Sequence, residues 1–373
     1  MVLLADEFCH ALIMNSPDTS LGPSIWAVSD GRAGNAAQVR AITAALSETR
    51  RWLQIAHIAG QGHRAEPITL NPRPPWTWLP GANWPAPRRA LPAAQRAQLT
   101  SPWPTLWIAA GRRSAAYSAA LRGWSGQRTL TVQVLDPKSD PTKFDLVVVP
   151  EHDALTGPNV IRTTGSPAHF TEDAIEHAGQ AFADLADERQ KSAIVVLGGH
   201  SRSHKFTRVE SNALIAQLEA AAANGWRLRI TCSRRTPVSV VSDMRQLADR
   251  IGALFWANEQ DGPNPYLAWL LYSDAAIVTE DSANMLSDAA WHGLPIHIAR
   301  LKGGAPKFDR LHHSLIDRGC ATWFEGTIST WDYAPLREAG RVADVIIEKL
   351  LERYPQPELS AIQTNKTAAP DWL

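Results

Sequence analysis

Cysteine is scarce: Cys9, Cys232 and Cys320 are the three present in 373 residues, and they stand far apart. No pair has the spacing of zinc ligands, and no disulfide framework fits. A reducing cytoplasm suits such usage. Long apolar runs are missing too. None approaches the roughly 18 residues that a membrane-spanning helix needs, so any membrane contact is expected to be peripheral, at the inner membrane face. The start, "MVLLADEFCHALIMNSPDTS", carries Asp6 and Glu7 without a basic stretch and reads poorly as a secretory signal. Net charge is also lacking. Lys+Arg and Asp+Glu both number 37, which leaves no global field for nucleic acid and no such partner is expected.

Several motifs are absent. Without G-x-x-x-x-G-K-[ST] there is no P-loop, and without G-x-G-x-x-G after a strand a dinucleotide site loses support. No tyrosine precedes a lysine by four residues, which argues against a short-chain dehydrogenase or epimerase. Asp-x-Asp is missing, and with it the usual metal ligands of single-domain glycosyltransferases. No G-x-S-x-G elbow occurs. His200 and His204 lie four apart in "GGHSRSH", but a third ligand is wanting and no metal is expected. Acids vanish between Glu66 and Asp136, an interval holding eight arginines. Within it, Arg73 to Trp103 combines four arginines with four tryptophans and much proline. That composition suits an anionic membrane surface.

What is present is a βα pattern. Apolar runs such as "SIWAVSD", "RWLQIAHI", "TLWIAAG", "TLTVQVLD", "DLVVVPEH" and "NVIRTTG" recur in the first half. "SAIVVLGG", "RLRITCS", "ALFWANE", "AAIVTED", "LPIHIA" and "ATWFEG" follow in the second. Continuous apolar strands indicate parallel sheets covered on both faces. Helices between them stop at Gly225, Gly252 and Gly293. The expected fold class is α/β, with two Rossmann-like parallel-sheet domains facing a cleft. Residues 1–22 form a leader, 23–188 the first domain and 189–335 the second. Residues 336–373 hold a helix that crosses back, and a tail.

Open parallel sheets bind ligands beyond the carboxyl ends of their strands, so the loops after strands carry the candidates. The first, "SDGRAGNAAQ", offers Gly31, Arg32, Gly34 and Gln38, with Asp30 as a cap or a base. In the second, Gly111, Arg112, Arg113 and Ser114 suit a phosphate or carboxylate. "VVVPEHD" ends in His152 and Asp153, where a general base would stand. "LGGHSRSHKFT" supplies Gly198, Gly199, Ser201, Arg202 and Lys205 as a phosphate nest. "TCSRRTP" supplies Ser233, Arg234, Arg235 and Thr236, the last as a helix cap. Finally "TEDSANMLSD" places Glu280, Asp281, Ser282, Ala283, Asn284 and Met285 at a helix start. Asp281 is a natural N-cap there, and Asp288 lies on the same face about 10.5 Å along the axis. The helix N–H groups would read a diphosphate and the acid a ribose.

The stretches "DGRAGNAAQ", "AAGRRSA", "QVLDPKSDPTKFDLVVVPEHD", "GPNV", "LGGHS", "TCSRRTP" and "VTEDSANMLSDAAWHGLPI" resemble, in order and spacing, bacterial relatives of the plant mitochondrial-fission Elm proteins. The resemblance covers residues 24 to 350. "TEDSANMLSDAAWHGLPIHIA" is in addition similar to the donor segment of two-domain (GT-B) glycosyltransferases. That likeness implies Ser282, Ala283 and Met285 at the diphosphate and Asp288 at the ribose. It also implies a metal-independent transferase with no cofactor, residues 189–335 holding a nucleotide-sugar as co-substrate and residues 23–188 facing a cell-envelope or lipid-linked acceptor and the membrane. Met285 and Asp288 depart from the residues usual there, and Asp281 adds a negative charge near the diphosphate. The Elm resemblance implies instead a non-catalytic membrane-associated adaptor, and a sugar-nucleotide epimerase is a third reading. For a transferase the expected base is His152, then Asp30, then Asp153.

Overall fold

The computed structural model describes residues 24–49, 51–52, 66–79, 82–186 and 190–354. The leader lies outside them. So does "RWLQIAHI" beyond Trp52, and its first two residues are helical rather than extended.

Two six-stranded sheets form the frame. The first comprises β1 (Ile25–Ser29), β2 (Glu66–Thr69), β3 (Leu106–Ala110), β4 (Leu130–Val134), β5 (Leu146–Pro150) and β6 (Val160–Thr163), in the order β2-β1-β3-β4-β5-β6. From β2 through β5 the neighbours pair in parallel. Every residue of β3, β4 and β5 is buried, which explains their unbroken apolar reading. β2 is not among the strands expected from sequence. It is four residues long and contains Pro67, which an edge strand tolerates because one side of its ladder is unused.

The second sheet holds β7 (Ser192–Leu197), β9 (Arg227–Cys232), β10 (Leu254–Trp256), β11 (Ala275–Thr279), β12 (Ile296–Ala299) and β14 (Ala321–Trp323), in the order β10-β9-β7-β11-β12-β14. All its pairs are parallel. A separate antiparallel ribbon joins β8 (His204–Lys205) to β13 (Lys302–Gly303).

The helices are α1 (Ala33–Glu48), α2 (Ala93–Gln98), α3 (Ala115–Trp124), α4 (Glu172–Ala181), α5 (Arg208–Ala223), α6 (Val238–Ile251), α7 (Tyr266–Leu271), α8 (Ala283–His292), α9 (Pro306–Asp317) and α10 (Glu338–Arg353). Local chemistry sets their ends. Thr207 and Glu210 form a reciprocal capping box at α5. Gly252 and Gly293 close α6 and α8 in the left-handed conformation. α6 buries Val240, Met244, Leu247 and Ala248, one helical stripe against the strands. Leu218 and Leu247 share that core and are fully buried, so truncating either to alanine costs about 2–5 kcal/mol.

Contacts divide the chain into two compact units. One runs to Val148 and resumes at Gly340, and the other is Val149–Ala339. In the first unit the end of α10 is tied down by Arg353, whose guanidinium donates to Asp145 Oδ1 at 2.5 Å and to the Thr129 carbonyl at 2.9 Å.

Candidate functional site

In each sheet the chain leaves its first strand in one direction and later returns to that strand's other side. The strands diverge there, at β1/β3 and at β7/β11, and such switch points are where open α/β sheets take ligands.

At the first switch point Asp30 is buried between the strand ends. Its Oδ1 accepts from the Arg32 N–H at 3.3 Å and the Asn35 amide at 2.9 Å, and the Arg32 guanidinium stands 3.7 Å from Oδ2. Gly31 (φ 80°) and Gly111 (φ 96°) make the turns. A β-carbon on Gly111 would lie 2.5 Å from Asn35 Nδ2, so the two loops interlock. Ser114 donates to the Gly111 carbonyl at 2.8 Å and is buried, a structural duty rather than an anion contact. Arg112 and Arg113 are exposed. Gly34 is the second residue of α1, and Gln38 is buried in it.

The second switch point is more closed. Thr279 accepts from the Gly198 N–H at 2.7 Å and donates to Asp281 Oδ1 at 2.8 Å. Asp281 Oδ2 accepts from the Gly199 N–H at 3.0 Å and pairs with Arg235 at 2.9 Å. The Asp281 side chain is 0 % exposed and that of Arg235 43 %. Asp281 is therefore not the N-cap of α8. That place belongs to Ser282, whose hydroxyl accepts from Met285 N–H at a marginal 3.5 Å. Asp281 turns back because burial demands partners, and Arg235 with two donors supplies them. Thr236 is likewise not a cap; its hydroxyl donates to the Gly198 carbonyl at 2.6 Å and locks the two loops together. Ser233 accepts from the Arg235 N–H at 3.2 Å, and Ser201 from the His204 N–H at 2.9 Å. Arg202, Lys205 and Arg234 are exposed.

Glu280 also turns inward. It accepts from the Leu301 N–H at 2.6 Å, and burial raises its carboxyl above the usual range. Its carbonyl accepts from His312 Nε2 at 2.9 Å. Along α8, Ala283 and Met285 pack against the apolar core, and Asn284 is half-buried. Further along, Asp288 accepts from the Tyr266 hydroxyl at 3.0 Å. Burial pushes its carboxyl up to about 7, against the lowering effect of that hydrogen bond. Tyr266 escaped notice in the sequence because α7 has only six residues and carries no motif.

His152 and Asp153 sit in a turn, with the Asp153 N–H bonded to the Pro150 carbonyl at 2.9 Å. The turn frees both side chains from strand alternation. His152 borders an open depression of about 500 Å³ together with Glu151, Arg310, His313, Ser314, Asp317 and Arg318. Burial lowers the imidazole below its usual range, and Lys307 and Arg310 add to this against Asp153 and Glu151. A neutral ring at pH 7 is able to accept a proton. The α9 residues here were missed because they lie on an ordinary amphipathic helix.

Tryptophans of the Arg73–Trp103 stretch divide. Trp84 is buried, Trp76 donates to the Pro85 carbonyl at 3.1 Å, and Trp103 stacks on Trp124 with ring centres 5.8 Å apart. Trp78 is 77 % exposed, with Leu79 beside it.

Mitochondrial fission protein ELM1 of Arabidopsis thaliana is 27 % identical over 278 residues, which cover 67 % of this chain and 65 % of the plant protein. The chain thus spans just under two thirds of that relative. Uncharacterized protein RP120 of Rickettsia prowazekii is 25 % identical over 284 residues, covering 65 % of this chain and 79 % of that protein. Among solved structures, Arabidopsis thaliana UGT89C1 complexed with UDP is similar at TM-score 0.48 and 11 % identity, covering 92 % of this chain and 93 % of that one. UDP-GlcNAc 2-epimerase from Neisseria meningitidis bound to UDP-GlcNAc is similar at TM-score 0.46 and 13 % identity, covering 88 % of this chain and 100 % of that one. The family model described as Mitochondrial fission ELM1 matches residues 33–350, from the helix of the first switch point to the last helix, and this chain belongs to that family.

Proposed function

We propose that the chain binds a nucleotide-sugar at the second switch point and transfers the sugar, without a metal ion, to a cell-envelope or lipid-linked acceptor. The observation that carries this reading is Arg235. Its guanidinium is held at the strand ends by Asp281 yet is 43 % exposed, beside two glycines where no side chain fits. A cation so placed, with the start of α8, stabilises a departing diphosphate. Asp288 is the ribose acid and His152 the base. Trp78, Leu79 and the exposed Arg73 and Arg89 give a small membrane contact.

A second reading is favoured by Asp281 itself. Its carboxylate already takes the Gly199 N–H that a diphosphate would use, so the chain's own anion fills the place. In that case the fold serves as a docking adaptor, in line with the fission role in the plant relative's name.

A thermal-shift screen of nucleoside diphosphates, followed by turnover assays, separates the two. The transferase reading expects stabilisation by uridine diphosphate or a close analogue. It also expects His152→Ala to abolish turnover while leaving that stabilisation intact. No shift with any nucleotide favours the adaptor.

A further inference from the structure

The depression beside His152 has a chemistry of its own. Every side chain lining it is charged or carries a hydrogen-bonding group, and its volume of about 500 Å³ lies within the range of small-molecule sites. One face of α9 supplies Arg310, His313, Ser314 and Asp317, at spacings of three, four and seven residues. Arg318 is neutralised, since one of its nitrogens contacts both Glu151 carboxylate oxygens at 3.0 and 3.1 Å.

Arg310 and Asp317 are not. Arg310 donates to the neutral His152 carbonyl at 3.0 and 2.6 Å and makes no ion pair among the described residues. Asp317 is exposed and has no ion pair or hydrogen bond there either. Seven residues put them about 10.5 Å apart along the axis. The site thus has a cationic end, flanked by the His152 ring, and a carboxylate end that accepts from hydroxyls. His313 bonds the Asp309 carbonyl through Nδ1 at 2.6 Å, which leaves Nε2 for a ligand.

We propose that this depression binds a phosphorylated sugar, its phosphate at Arg310 and its hydroxyls at His152 and Asp317. Its role as acceptor site rests on the transferase reading; its ligand chemistry does not. α9 also borders the second switch point, because His312 on its buried side holds the Glu280 carbonyl.

Titration calorimetry on the full chain tests this with glucose 6-phosphate, glucose and inorganic phosphate. Glucose 6-phosphate is expected to bind more tightly than either fragment. Arg310→Gln should weaken it roughly tenfold or more, as loss of a charge-assisted contact does. Asp317→Asn, an exposed change that spares the fold, should narrow the preference for glucose 6-phosphate over inorganic phosphate. No saturable binding, or affinities unchanged in both variants, overturns the proposal. A parallel titration with uridine diphosphate keeps the two ideas apart. Binding of the sugar phosphate without the nucleotide sinks the donor reading and leaves this site standing. The reverse result sinks this site alone.

Discussion

A β-carbon on Gly199 would sit 1.9 Å from the Arg235 carbonyl oxygen, and one on Gly198 2.0 Å from an Asp281 carboxylate oxygen. Backbone cannot step aside as a flexible side chain can. Gly199→Ala is therefore expected to destabilise by on the order of 1–3 kcal/mol in urea unfolding. Gly198→Ala should cost less once Asp281 is shortened to alanine, and a double-mutant cycle measures that coupling. A coupling of zero would mean that the loops do not interlock. Asp288 gives a pH test. An unfolded aspartate titrates near ~4, whereas this one is pushed up to about 7. The native state keeps a proton that the unfolded chain loses, so stability is lost as pH rises through about 7. Asp288→Asn lacks that loss. Its advantage over wild type should grow between pH ~4 and ~7 and then level off; an advantage independent of pH would show an ordinary carboxyl.

At the scale of elements, the buried strands were legible because both of their faces are covered, which leaves no polar alternation to confuse the reading. β2 and the β8/β13 ribbon were not. A four-residue edge strand and two-residue strands offer too few positions for any period to show. The switch-point loops were legible as loops, but the direction of their side chains was not. "TEDS" reads as an N-cap in sequence, and only the partners at Gly199 and Arg235 turn Asp281 away from α8. The Arg73–Trp103 stretch is a similar case. Composition suits a membrane surface, yet Trp84 is buried in the core and Trp76 and Trp103 pack against it. Vesicle binding should then depend on Trp78. Trp78→Ser is expected to lose most sedimentation with anionic vesicles, whereas Trp76→Ser should alter thermal stability more than binding. Equal loss from both would return the whole stretch to the membrane.

For the whole molecule, two parallel sheets give two switch points, and their chemistry differs. The first leaves Arg112 and Arg113 exposed around a tethered Asp30; the second buries an aspartate under a half-exposed arginine. Among the described residues no helix is long and apolar enough to cross a membrane. The chain belongs to the ELM1 family, and the proposed chemistry turns on whether Asp281 and a diphosphate share Arg235. Titration calorimetry with uridine diphosphate on wild type, Arg235→Gln and Asp281→Asn decides that. The account predicts saturable binding to wild type, loss of roughly tenfold or more in Arg235→Gln, and tighter binding in Asp281→Asn, where the competing charge is gone. No binding to wild type or to Asp281→Asn, with both proteins folded, would contradict it.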